Sequence, residues 1–155
     1  MRRRLAPVAI AAVIAVALSG CVSWFLPPST SATSTPTDES VAADLAPYYH
    51  QVLQWTGCGG GMQCATATAP LDWSDPTAGD IELALVRQPA TTGDRLGSLL
   101  INPGGPGGSG YDFVKDSVDY ATDAALQARY DIVGFDPRGV NRSTPVTCYD
   151  DPAEM

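Results

Sequence analysis

Nine residues near the middle of the chain carry its strongest chemical signal: Asn102-Pro103-Gly104-Gly105-Pro106-Gly107-Gly108-Ser109-Gly110. Glycines at this density remove the Cβ atoms that would hold a ligand away from the main chain, while Pro103 and Pro106 fix φ and stiffen the stretch. Such a loop presents backbone N–H groups. Two chemistries need that: a phosphate cradle at a helix N-terminus, and an oxyanion hole for acyl transfer. Gly105 to Gly110 satisfies G-x-G-x-x-G, and Asp136 ends the next strand where a ribose-binding acid would stand. Against a dinucleotide-binding domain weigh an export signal, the stiffness of Pro106 in the turn, and the long stretch of chain ahead of a motif that usually opens its domain.

The cysteines form the second set. Cys58 and Cys64 flank Gly59-Gly60-Gly61-Met62-Gln63, a loop flexible enough to let them meet, so a disulfide is the favoured reading. Half a zinc site is the alternative, but His50 is the one imidazole available as a ligand, so no metal is expected. His50 sits among Tyr48, Tyr49, Val52, Leu53 and Trp55 and reads as structural. Cys148 is left over, and its place so near Met155 points to a partner further along a longer chain.

The amino-terminal end sets the compartment. Arg2, Arg3 and Arg4 form a basic n-region, and Leu5 to Leu18 is an apolar run too short to span a bilayer comfortably. Leu18-Ser19-Gly20-Cys21 resembles a bacterial lipobox, which assigns 1–20 to a lipoprotein signal peptide and makes Cys21 the acylated first residue of the mature protein. That predicts an exported protein anchored to the outer face of the cell membrane by lipid. Residues 21–40, rich in Pro, Ser and Thr, read as a disordered spacer, and 41–155 as the folded part. Loss of the signal leaves six basic side chains against 17 acidic ones, which excludes nucleic-acid binding through a basic patch.

The elements that must position the glycine loop follow from periodicity and breakers. Cys64 to Ala69 alternates like a first strand, and Ile81 to Arg87 is a clear strand with Ile81, Leu83 and Leu85 on one face. Thr91 to Arg95 turns the chain toward Gly97, as a hairpin would. Leu99, Leu100 and Ile101 read as a buried parallel strand that runs into the loop. Tyr111 to about Ala128 has helical spacing of Phe113, Val114, Val118 and Leu126, broken near Thr122, and Tyr130 to Phe135 is a second buried strand. Strand, loop, helix, strand is a βαβ unit, so the class is α/β with antiparallel strands ahead of a parallel core.

Two motifs taken together carry a resemblance. Asn102 to Gly110, followed by Tyr130-Asp-Ile-Val-Gly-Phe-Asp-Pro-Arg-Gly-Val-Asn-Arg-Ser143, is similar to the exported tripeptidyl aminopeptidases of actinomycetes, relatives of proline iminopeptidase. Trp55, Cys58, Cys64, Ala69 to Trp73 and Thr144 to Cys148 fit the same pattern, so the resemblance runs from about Trp55 to the end. It implies the amino-terminal portion of an α/β-hydrolase fold and a serine exopeptidase acting on peptide N-termini, with no cofactor.

Position by position, the resemblance puts the backbone amides of Gly104 and Gly105 in the oxyanion hole and Pro103 where proline iminopeptidases have His. A cis peptide before Pro106 would suit so tight a turn. Asp136, Arg138, Arg142 and Ser143 match a structural loop in which Asp136 accepts from the turn and Arg138 pairs with it. Asn141 replaces the usual Gly. The chain has no G-x-S-x-G; Gly107-Gly108-Ser109-Gly110-Tyr111 misses by its last residue, and Ser109 reads as a helix N-cap. Nucleophile, acid and base are thus absent from these 155 residues, and the chain alone is expected to be inactive. The other class left open is a non-catalytic surface lipoprotein that uses the fold as a binding module.

Overall fold

The computed structural model describes residues 31–147. The signal peptide, Cys21 and Cys148 lie outside them. Ten elements follow one another along the described residues. They are strand β1 (Ser31–Thr33), a single helical turn α1 (Ala46–Tyr49), β2 (Gln54–Gly59), β3 (Met62–Pro70), a 3-10 turn (Pro76–Ala78), β4 (Asp80–Gln88), β5 (Gly97–Leu100), α2 (Gly110–Ala121), α3 (Ala124–Arg129) and β6 (Tyr130–Phe135). The described strands make one mixed sheet of order β1-β2-β3-β4-β6-β5.

The antiparallel half is held by turns. Gly59, Gly60 and Gly61 all have positive φ and reverse the chain between β2 and β3, where Thr56 pairs with Cys64. A disulfide joins Cys58 to Cys64, with Cα atoms 5.8 Å apart, as the spacing predicted. From Gln63↔Arg87 to Pro70↔Asp80 the β3–β4 ladder runs without a break. Ser31–Thr33, inside the stretch read as a disordered spacer, pairs with Gln54–Thr56. The outer side of β2 offers unpaired N–H and C=O groups that a short polar segment can satisfy.

Two expectations are corrected. No hairpin joins Ile81–Arg87 to the strand at Gly97, because β6 lies between β4 and β5, antiparallel to the first and parallel to the second. Asp131 to Gly134 are buried, so the strand with apolar residues on both faces takes the inner place. Consequently β5 is an edge rather than a buried strand, and Leu100 is 63% exposed. The βαβ unit itself is present, with Gly97↔Tyr130 to Leu100↔Val133 in parallel register across α2 and α3.

The helix breaks where Thr122 was expected to break it. Asp123 caps α3 by accepting from Leu126 N at 2.9 Å, and the Thr122 hydroxyl bonds back to Val118 O. Val114 and Val118 on α2 meet Met62, Val86 and Ile132 on one face of the sheet, and Tyr111 completes this core. Gly134 allows the close approach, since a Cβ there would overlap Gly110 O and crowd the Val114 methyl at 2.8 Å.

Candidate active site

The glycine loop lies between the end of β5 and the start of α2, and its shape is set by three local devices. Asn102 folds its side chain over the next turn, where Oδ1 accepts from Gly104 N at 2.9 Å. The Gly105–Pro106 peptide is cis, as the sequence suggested, and Gly104 and Gly107 have φ of 86° and 77°. Gly108 backs onto the start of the loop, because a Cβ on it would stand 2.6 Å from Gly104 O and 3.5 Å from the Pro103 ring. Among the described residues, no group accepts from Gly105 N–H, nor from those of Gly107, Gly108 and Ser109, so Gly104 is the loop amide already engaged.

Ser109 closes the loop and opens the helix. Its Oγ accepts from Asp112 N at 2.9 Å, the N-cap role read from the sequence, and its hydroxyl donates to Asp136 Oδ1. Asp136 is fully buried at the end of β6, and both of its carboxylate oxygens are engaged. Its Oδ2 accepts from Arg142 N at 3.2 Å and from Arg142 Nη1 at 3.3 Å, while its carbonyl accepts from Ser143 Oγ at 2.6 Å. A carboxylate buried and engaged in this way is not presented to a ribose.

The second pairing read from the sequence is corrected here. Arg138 does not reach Asp136; it donates to Leu71 O at 2.8 Å and ties the loop after β6 to the end of β3. Arg142 takes its place. The Arg142 guanidinium also pairs with Asp112 Oδ1 at 2.9 Å and lies 4.3 Å from the Tyr111 ring centre. Its hydrogen bond and charge hold the Asp112 carboxyl below the usual carboxylate range, and Asp112 in turn raises Arg142. Asn141, at φ 47°, adds an Nδ2 bond to Asp112 Oδ2 at 3.1 Å, so a residue that tolerates positive φ stands where Gly was expected. Tyr111 OH donates to Cys64 Sγ at 2.8 Å, which connects the disulfide to this cluster.

His50 stays away from the loop, exposed, with Nε2 3.1 Å from Glu39 O. Among the described residues, no group of three His, Cys, Asp or Glu side chains is placed to hold a metal. On the opposite face of the sheet, a cleft of about 790 Å3 holds a cluster that the sequence reading missed. Asp131, 3% exposed, accepts from Arg87 at 3.0 Å, Arg95 at 2.9 Å and Ala90 N at 2.9 Å. Arg87 also covers the Trp55 ring at 4.4 Å. The one available signal was an acid alone in an otherwise apolar strand. Asn102 was legible in principle too, as an Asn two residues before a glycine turn.

Fold and loop together define a mixed α/β protein compatible with the amino-terminal part of an α/β-hydrolase. Similarity to known proteins makes the class concrete. The chain is 47% identical to carboxylesterase B of Mycobacterium tuberculosis over 83 residues, which cover 54% of this chain and 16% of that enzyme. It is 42% identical to the serine protease Hip1 of the same organism over 108 residues, 64% of this chain and 20% of the protease. To the tripeptidyl aminopeptidase of Streptomyces lividans it is 39% identical over 107 residues, with coverage of 63% and 20%. The chain is therefore related to actinobacterial hydrolases that include tripeptidyl aminopeptidase, as the two motifs implied. It spans about a fifth or less of the length of these curated relatives. No family model matches it.

Proposed function

We propose that the chain is the amino-terminal part of an exported, lipid-anchored serine exopeptidase that releases short peptides from peptide N-termini. The observation that carries this reading is the Gly105 amide. It is left without an acceptor in a loop whose shape the Asn102 side chain, the cis turn before Pro106 and the Gly108–Gly104 contact hold. A donor that is fixed and unpaired in the resting protein serves an oxygen that becomes negative during acyl transfer. Gly104 contributes differently from Gly105 in this account, since Asn102 already occupies its N–H.

The second oxyanion donor, the nucleophile, the acid and the base belong to sequence beyond these residues, in the order Ser, Asp, His after a G-x-S-x-G turn. The peptide substrate, the membrane anchor at Cys21 and the cofactor-free mechanism belong to that whole protein. An ester substrate is the second reading, favoured by the 47% identity to carboxylesterase B.

The test is to express the full-length gene product and to compare an N-terminally unblocked tripeptide p-nitroanilide with a p-nitrophenyl ester. Turnover of the anilide, abolished by a serine-directed phosphonate, supports the exopeptidase. Turnover of the ester alone supports the second reading. A product that hydrolyses neither would return the chain to the class of non-catalytic binding lipoproteins.

A further inference from the structure

The unspent amide of Gly105 is useful only if the loop cannot drift, and the loop has few side chains of its own. Its fixed point lies outside it, at Asp136. This carboxylate is fully buried at the end of β6 and receives the Ser109 hydroxyl. Ser109 is joined directly to Gly108, and Gly108 is packed on the Gly104 carbonyl so closely that a Cβ would not fit between them. Gly105 follows Gly104. One hydrogen bond and one backbone contact thus run from the rigid strand to the amide. Arg142 completes the fixture by pairing with Asp136 on one side and with Asp112 in the first turn of α2 on the other.

We infer that Ser109 and Asp136 are positioning residues for the oxyanion loop: the Ser109 hydroxyl, held by the buried Asp136 carboxylate, sets where the Gly105 N–H points. This rests on the exopeptidase reading above for its catalytic consequence, though not for its structural one. Preorganised donors contribute most when they need no reorientation as charge develops, so loosening the fixture acts on kcat rather than on KM. An ångström of misplacement costs about 10²-fold in rate.

The experiment uses the full-length gene product with Ser109→Ala and Ser109→Gly. Glycine keeps most of the N-cap stability while it removes the hydroxyl, so the second variant folds if the first does not. Ser109→Thr serves as the rescue. Turnover of a tripeptide p-nitroanilide is measured together with hydrogen exchange of the Gly104 amide, the loop N–H that Asn102 Oδ1 holds. Expected is a loss of about 10- to 100-fold in kcat at unchanged KM, largely restored by Thr. Faster exchange confined to the loop should accompany it, with β4 still protected. Unchanged kcat in a folded variant would overturn the inference, as would a loss that Thr fails to restore or that comes with loosened β4. Should the parent protein turn over no acyl substrate, the exopeptidase reading fails by itself. The exchange measurement then decides the positioning role alone: loop-confined acceleration supports it, and unchanged exchange overturns it.

Discussion

Asp131 and Arg87 face each other across β6 and β4 at 3.0 Å, with side-chain exposures of 4% and 14%, and Arg95 closes on the same carboxylate oxygen from the loop before β5. Burial pushes the Arg87 guanidinium down, and the Asp131 charge opposes that shift. The pair therefore stands because each charge answers the other. Removing one partner of a buried pair costs about 3–5 kcal/mol, because the remaining charge stays desolvated. Asp131→Ala is expected near the lower end, since Arg95 is half exposed and can turn to water. Urea denaturation of the full-length gene product measures it, and a loss under about 1 kcal/mol would show that water already reaches the cluster.

The packing of α2 on β6 gives a sharper prediction. With Gly110 O lying over Gly134, Gly134→Ala must push the helix away or tilt the strand. Overpacking of a filled core costs about 1–3 kcal/mol. The same substitution at Gly93, where a Cβ meets nothing within 4 Å, should be nearly neutral. Thermal unfolding of the two variants side by side should separate them by several degrees.

Gly105 should be the most sensitive position of the loop. A Cβ there would stand 2.8 Å from Gly107 N, so Gly105→Val shifts the amide as well as blocking it. Loss of an oxyanion donor typically costs about 10²–10³ in kcat. In the full-length product the expected result is such a drop at similar KM, with circular dichroism confirming the fold. An unchanged kcat in a folded variant would remove the loop from the mechanism.

The Asp112–Arg142 pair predicts a response to pH. The Arg142 hydrogen bond holds the folded-state pKa of Asp112 below the usual carboxylate range, so the pair contributes stability above that range. This contribution is lost as pH falls from about 4 through the folded pKa. Asp112→Asn lacks the titrating group. The gap in melting temperature between the parent and Asp112→Asn should therefore shrink as pH is lowered from 5 to 2. A gap independent of pH would show that the ion pair contributes nothing measurable.

The disulfide and the anchor are checked by mass spectrometry. Non-reducing digestion should yield a linked Cys58–Cys64 peptide. Reduction should lower stability by less than the roughly 3 kcal/mol of a 15-residue loop, since the ring closed here is shorter. In the membrane fraction of the native host, the first mature peptide should begin at an acylated Cys21. An unmodified peptide crossing Gly20-Cys21 in mature protein would rule the anchor out.

Much of the architecture was legible in local sequence because the forces that decide it are local. The alternation of Cys64 to Ala69, the cap at Ser109, the break at Thr122 and the glycine turn that lets Cys58 meet Cys64 all depend on residues a few positions apart. Neighbouring residues likewise dictate the cis turn before Pro106 and the positive φ at Asn141. Partner choice was not legible. Arg87 and Asp131 lie 44 residues apart, and no pattern within either strand says that β6 will slide between β4 and β5. The same holds for Asp136: the motif shows two arginines after it, and only the path of the chain decides that Arg142 curls back while Arg138 reaches across to Leu71. The tertiary structure also distinguished Gly104 from Gly105. Identical glycines in sequence became unlike donors once Asn102 bonded to one of them, because a hydrogen bond depends on where the acceptor's atoms end up rather than on the type of residue that carries the donor.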